Sequence, residues 1–155
     1  MENKDKTRKI NEFNAKTMVG HIGIEIMEAG KDYVSGRMPV DKRTTQPYGL
    51  LHGGASVAFA ESLGSLAGSF HIDWEKQAVV GIEINANHLK SVRSGWVYGR
   101  ATPVKIGKRI QVWKINITNE DKEAVCIEGE SKYHSVCRGG DYPSESISTC
   151  CRCTK

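Results

Sequence analysis

Between Gln46 and Gly64 the chain reads QPYGLLHGGASVAFAESLG. His52-Gly53-Gly54 leads into a helical pattern, and Glu61 is the single charged residue between Gly53 and Phe70. The first N–H groups of a helix have no acceptor within the helix. With the positive end of the helix dipole, they can polarise a carbonyl and stabilise an oxyanion. Glycine at that point lets a ligand press against the main chain. A carboxylate in apolar surroundings has its charged form disfavoured, which suits it to work as a nucleophile or general base. These are the parts of an acyl-transfer site. The stretch is not a G-x-x-x-x-G-K-[ST] phosphate loop or an H-E-x-x-H zinc motif, and Ser56 lacks the flanks of a nucleophile elbow. His52 by itself reads equally well as a structural histidine bonded to the backbone of the turn.

These groups need a helix to hold them and a sheet to hold the helix. From Gly53 to Phe70, Phe59, Leu63, Leu66 and Phe70 recur at steps of four, three and four, one apolar stripe. At 100° per residue Glu61 falls about 200° from that stripe, beside Gly54, Ala58, Gly64, Ser65 and Gly68. Small residues on that side let a thin ligand or another backbone approach. Upstream, Thr7 to Thr17 has the spacing of a short helix. Ile22, Ile24 and Ile26 alternate as a strand does, and Tyr33 to Val40 reads as a second strand after a Gly30-Lys31-Asp32 turn. Asp41 to Leu50 is a loop broken by Pro47 and Gly49. Downstream, Gln77–Lys90, Trp96–Val104 and Arg109–Thr118 are strand-like runs, and Ala124 to Ile127 begins a last one. Helix, two strands, long helix and then a run of strands, with no βαβ alternation, predicts an α+β fold with an antiparallel sheet on one helix.

The bulk properties narrow the function classes. The chain has 155 residues, enough for one domain, with 39% hydrophobic content. A net charge of +4, spread over 22 basic and 18 acidic side chains, is too mild and too mixed to argue for nucleic acid. No apolar core follows the polar MENKDKTRKI start, and no stretch approaches the roughly 18 apolar residues a membrane span needs. A cytoplasmic protein is the expectation. Five cysteines, four of them crowded after residue 136, make a poor disulfide framework. The spacing of His134, Cys137, Cys150, Cys151 and Cys153 matches no paired zinc motif, so no metal is expected. One domain over residues 1–137 and a flexible Cys-rich tail over 138–155 is the predicted organisation, with the alternation fading after Ile127.

The motif Gln46-Pro47-Tyr48-Gly49, His52-Gly53-Gly54 and then Ala60-Glu61-Ser62, with VVGIEINANHLKSVRSG downstream, resembles the hotdog-fold acyl-CoA thioesterases. The nearest group includes the 4-hydroxybenzoyl-CoA, phenylacetyl-type and 1,4-dihydroxy-2-naphthoyl-CoA thioesterases. The resemblance runs from about Met18 to Ile127. It implies a long central helix wrapped by a curved antiparallel sheet, and a homodimer or dimer-of-dimers tetramer. In that arrangement the glutamate of one subunit faces the H-G-G turn of the other. By the same resemblance Glu61 is the catalytic carboxylate, acting as nucleophile or as base on a water. The Gly53 N–H polarises the thioester carbonyl, Gln46 and His52 shape the site, and Ser65 binds water or Glu61. The substrate implied is an acyl-CoA, with an aromatic acyl group favoured, and no cofactor is required. Two basic clusters, His88-Leu89-Lys90-Ser91-Val92-Arg93 and Gly107-Lys108-Arg109, supply candidates for substrate contacts. Lys90, Arg93, Lys108 and Arg109 would meet phosphates, Ser91 lies between two of them, and His88 would line the acyl pocket. The alternative is a non-catalytic or weakly active acyl-CoA-binding relative. A hotdog hydratase fits less well, because Ala60-Glu61-Ser62 follows the H-G-G turn. The family's usual last strand is not matched after Ile127.

Overall fold

The computed structural model describes residues 2–137. Three helices, α1 (Glu2–Asn14), α2 (Met18–His21) and α3 (Gly53–Ser69), accompany seven strands. The strands are β1 (Glu25–Ala29), β2 (Val34–Pro39), β3 (Gln77–Glu83), β4 (Ala86–His88), β5 (Trp96–Ile106), β6 (Ile110–Thr118) and β7 (Ala124–Cys137). They form one sheet in the order β1-β2-β5-β6-β7-β3, with β4 also on β7, and every pairing is antiparallel. The single long helix packs against β2, β3, β5, β6 and β7. This is the antiparallel sheet on one long helix that the element order predicted, and it agrees with the hotdog arrangement that the resemblance implied.

The core lies between α3 and the concave side of the sheet, where Phe59, Leu63, Met38, Val97, Trp113, Ile115 and Ile117 are fully buried. Fully burying side chains of this size contributes roughly 1.5–3 kcal/mol each. Opposed glycines on β2 and β5, Gly36 and Gly99, dent the sheet where the helix crosses it. A β-carbon on Gly99 would stand 2.5 Å from Leu63 Cδ1 and 2.9 Å from the Phe59 ring. A polar pair is built into the same core. Gln111, 2% exposed, donates its amide N–H to the Gly68 carbonyl at 3.2 Å, and its carbonyl oxygen accepts from Trp113 Nε1 at 3.0 Å. Both polar atoms of the amide are thereby satisfied, as burial demands.

Several boundaries differ from the sequence expectations. The first helix begins at Glu2 rather than Thr7. The Ile22-Ile24-Ile26 alternation runs from the C-cap of α2 through a turn into the start of β1. Asn11 explains part of this: its side chain accepts from Ile26 N–H at 2.8 Å and donates to Ile26 C=O at 3.0 Å, so α1 covers the outer edge of β1. The run expected from Gln77 to Lys90 divides into β3 and β4, which both pair with β7. The last strand does not stop at Ile127 but runs to Cys137, because β3, β4 and β6 supply hydrogen-bonding partners along its length. Residues 138–155, the expected flexible tail, lie outside the described residues.

The buried face of α3 is also displaced from the apolar stripe. Ser56, Phe59, Ala60, Leu63, Gly64, Ala67 and Gly68 are buried, whereas Leu66 and Phe70 are half-buried. At 100° per residue the buried face is turned roughly 80° toward Glu61. Glycines carry no apolar side chain, so the stripe did not register them, yet they allow the closest approach to the sheet. Part of the small-residue side is thus filled by the protein itself: Gly64 meets Tyr133, and Gly68 meets Gln111 and Val79, whereas Gly54 is exposed and Ala58 and Ser65 are half-buried. Glu61 consequently lies on the flank of the buried face and is itself half-buried.

Candidate functional site

The loop from Asp41 to His52 is tied before α3 starts. Asp41 accepts from the Arg43 side chain and main chain, which holds its carboxyl below the usual carboxylate range. Buried Thr44 donates its hydroxyl to Pro39 C=O at 2.7 Å, and His52 N–H donates back to Thr44 C=O. Gln46 accepts from Gly49 N–H through its main-chain carbonyl, and its side-chain oxygen accepts from Tyr48 N–H at 2.6 Å. Gln46 thereby braces the turn that delivers His52.

His52 is the N-cap of α3, with extended backbone (φ −71°, ψ 130°). Its Nδ1 accepts from Gly54 N–H at 2.8 Å. Caps are usually Ser, Thr, Asp or Asn; here an imidazole takes the role, which places the ring proton on Nε2. Ala55 and Ser56 N–H groups donate to the His52 carbonyl. Among the described residues, nothing accepts from Gly53 N–H.

Gly53 borders a cleft of about 360 Å³ shared with Gln46, Leu50, Leu51, Ser56, His88, Leu89, Lys90, Ser91 and Val125. The structure therefore gathers Gln46, Gly53, His88, Lys90 and Ser91 around one space, and His52, next to Gly53 in the chain, is not among its lining residues. His88 arrives on β4, opposite Cys126 of β7, and its ring lies against Gly53. Lys90 forms an ion pair with Glu123. Lys90's hydrogen bond, then that of Asn119, holds the Glu123 carboxyl below its ordinary range. Arg93 reaches the loop instead, donating to Tyr48 C=O at 3.4 Å. Lys108 and Arg109 are not brought to this cleft within one chain. They sit in the β5–β6 hairpin beside Ile110, whereas the cleft lies near Ile117 and Cys126. Seven residues of extended strand separate the two ends, about 23 Å.

Glu61 is not among the cleft residues. It lies eight positions along α3 from Gly53, about 12 Å along the axis at 1.5 Å per residue. Its carboxylate is fixed at both oxygens: Ser65 Oγ donates to Oε1 and Tyr133 Oη to Oε2, each at 3.2 Å. Gly81 of β3 lies directly alongside; a β-carbon there would be 2.7 Å from Oε1. Ser65 was expected from its one-turn spacing. Tyr133 and Gly81 were not, since only pairing of β3 with β7, Gly81 opposite Tyr133, brings them together. Leu50, Leu51, Leu89 and Val125 of the cleft wall carried no signal in the sequence beyond being apolar.

Comparison with known proteins points the same way. Residues 48–126 match the thioesterase superfamily model. The chain is 49% identical over 117 residues to the 1,4-dihydroxy-2-naphthoyl-CoA hydrolase of Escherichia coli, covering 76% of this chain and 85% of that one. It superimposes with a TM-score of 0.80 on the crystal structure of a Haemophilus influenzae thioesterase, at 46% identity over 84% of this chain and 90% of the other. Two crystal structures of a Staphylococcus aureus protein, named in one of them as a thioesterase, give TM-scores of 0.76 and 0.74 at 31% identity, covering 78% and 76% of this chain and 99% and 97% of theirs. One is of a glutamate-to-alanine variant and the other of a glutamine-to-alanine variant, the two sites fifteen positions apart.

Proposed function

The chain belongs to the thioesterase superfamily and is a thioester hydrolase, and from that premise we propose that it cleaves acyl-CoA with Glu61 of one copy acting at the Gly53 turn of another. The observation that carries this reading is the separation inside one chain. Among the described residues Gly53 N–H has no acceptor and Gly53 borders a cleft, while the constrained carboxylate stands about 12 Å further along the helix. One carbonyl cannot be in contact with both. A second copy solves this if it places its Glu61 over the first copy's cleft. The β3 edge favours such pairing: it ends the sheet, spans Gln77–Glu83 and leaves Ile82 53% exposed. A long open edge is a template for another strand.

In the proposed reaction the thioester oxygen accepts from Gly53 N–H, so negative charge developing there meets a fixed dipole rather than water. The partner copy's carboxylate then either adds to the carbonyl carbon or removes a proton from a water that does so. The C–S bond breaks, the thiolate of CoA leaves and takes up a proton, and water supplies the oxygen and proton that complete the free acid. Gln46 and His52 hold the turn in place, and Ser65 orients Glu61. Lys90, Ser91 and Arg93 lie on the side from which the phosphates of CoA would approach, and His88 walls the acyl portion. Lys108 and Arg109 would reach a substrate only from another copy. The spacing of Gln46 and Glu61, also fifteen positions, matches that of the two substituted residues in the Staphylococcus aureus protein and supports their pairing in one site. The Escherichia coli relative's name supports an aromatic acyl group.

The test is release of free thiol from benzoyl-CoA, 1,4-dihydroxy-2-naphthoyl-CoA and a straight-chain acyl-CoA series, followed with a thiol reagent for the native chain and Glu61→Ala. Loss of at least about 100-fold is expected on removing the carboxylate. Equal rates for the two proteins would remove Glu61 from the reaction.

A further inference from the structure

Building on the role proposed for Glu61, we propose that Tyr133 is a positioning residue for the reaction: its hydroxyl, admitted by Gly64, sets the orientation of the Glu61 carboxylate. Tyr133 is fully buried on β7, and its ring crosses α3 at Gly64. Any β-carbon at residue 64 would collide with the Tyr133 hydroxyl. The helix thus carries a glycine where the phenol must pass, one turn from the carboxylate it reaches. The hydroxyl donates to Glu61 Oε2 while Ser65 donates to Oε1, and Gly81 closes the remaining side.

This arrangement matters because glutamate has three side-chain torsions and this side chain is only partly buried. Ser65 alone would leave the carboxylate free to rotate about its single tether. A second donor from a different element, on the other oxygen, fixes the plane of the group. Attack on a carbonyl, or on a water beside it, depends on that plane, and misplacement by about 1 Å can cost up to 100-fold. The group touching substrate is Glu61; Tyr133 acts through it. The tyrosine lies beyond Ile127, in the part of β7 where the apolar alternation of the sequence fades.

The experiment compares Tyr133→Phe, Glu61→Ala and the double variant by steady-state thiol release, with thermal melting of each. Tyr133→Phe keeps the buried ring and removes one oxygen. A fall of about tenfold in kcat, with KM changed less than about twofold, is expected. In the Glu61→Ala background the same change should have no further effect, since there is no carboxylate left to orient. Gly64→Ala, which evicts the hydroxyl from the helix side, should lower kcat at least as far as Tyr133→Phe. Unchanged kcat in Tyr133→Phe, with activity lost in Glu61→Ala, overturns the role of Tyr133 and leaves the Glu61 reading standing. A drop that persists undiminished in the double variant also overturns it, marking a general packing effect. Retained activity in Glu61→Ala overturns both.

Discussion

The imidazole of His88 closes on the α-carbon of Gly53: a methyl carbon placed there would stand 2.8 Å from His88 Nε2. The strand that carries His88 is therefore packed against the first turn of α3, at the N–H assigned to the thioester oxygen. Room for that carbonyl depends on residue 53 having no side chain.

Gly53→Ala should accordingly push the turn and the imidazole apart and lose at least about tenfold in kcat/KM, short of the 100- to 1,000-fold typical when an oxyanion donor is removed outright. Adding His88→Ala should restore part of the loss by vacating the space. Thiol-release kinetics on the single and double variants check this. A double variant no better than Gly53→Ala would contradict the steric account.

His52 earns its place first through the backbone. Replacing it with alanine leaves Gly54 N–H without its acceptor, which should cost about 1 kcal/mol of stability. Asn at the same position can cap as well and should retain most of it. Urea unfolding of the two variants measures the difference. If His52→Asn is as unstable as His52→Ala, the capping role is wrong.

Lys90 faces the cleft already paired with Glu123. Glu123→Gln removes the competing charge and should strengthen the attraction of Lys90 for a substrate phosphate. The KM for an acyl-CoA should fall by about twofold to threefold at low ionic strength, and the gain should vanish near 1 M salt, where the screening length is about 3 Å. An unchanged KM at low salt would mean that Lys90 does not meet the phosphates.

The placement of the helix-start glycines and of Ser65 beside the lone carboxylate was legible because it is written in residue type and spacing. His52-Gly53-Gly54 lands at the start of α3, and Ser65 meets Glu61 one turn on. What escaped reading depends on pairing between distant segments. Nothing local to Tyr133 says that Gly64 lies opposite it, and the end of β7 does not alternate clearly enough to show a strand that its neighbours nonetheless hydrogen-bond. The glycines of α3 misled for a related reason: hydrophobic patterning counts side chains, and Gly64 and Gly68 pack tightly by having none. The basic residues were equally legible as charges, but only the sheet register separates Lys90 at the cleft from Lys108 and Arg109 at the far hairpin.

The central claim is that each active centre takes its carboxylate from one copy and its main-chain donor from another. It is tested most directly by mixing two inactive variants, Glu61→Ala and a Gly53→Val chain whose turn is blocked, after checking that each folds. In a random mix of two-fold dimers about a quarter of all centres are intact, so thiol release should recover to about that fraction of the native rate. A mixture that exchanges subunits yet stays as inactive as its components would contradict the account.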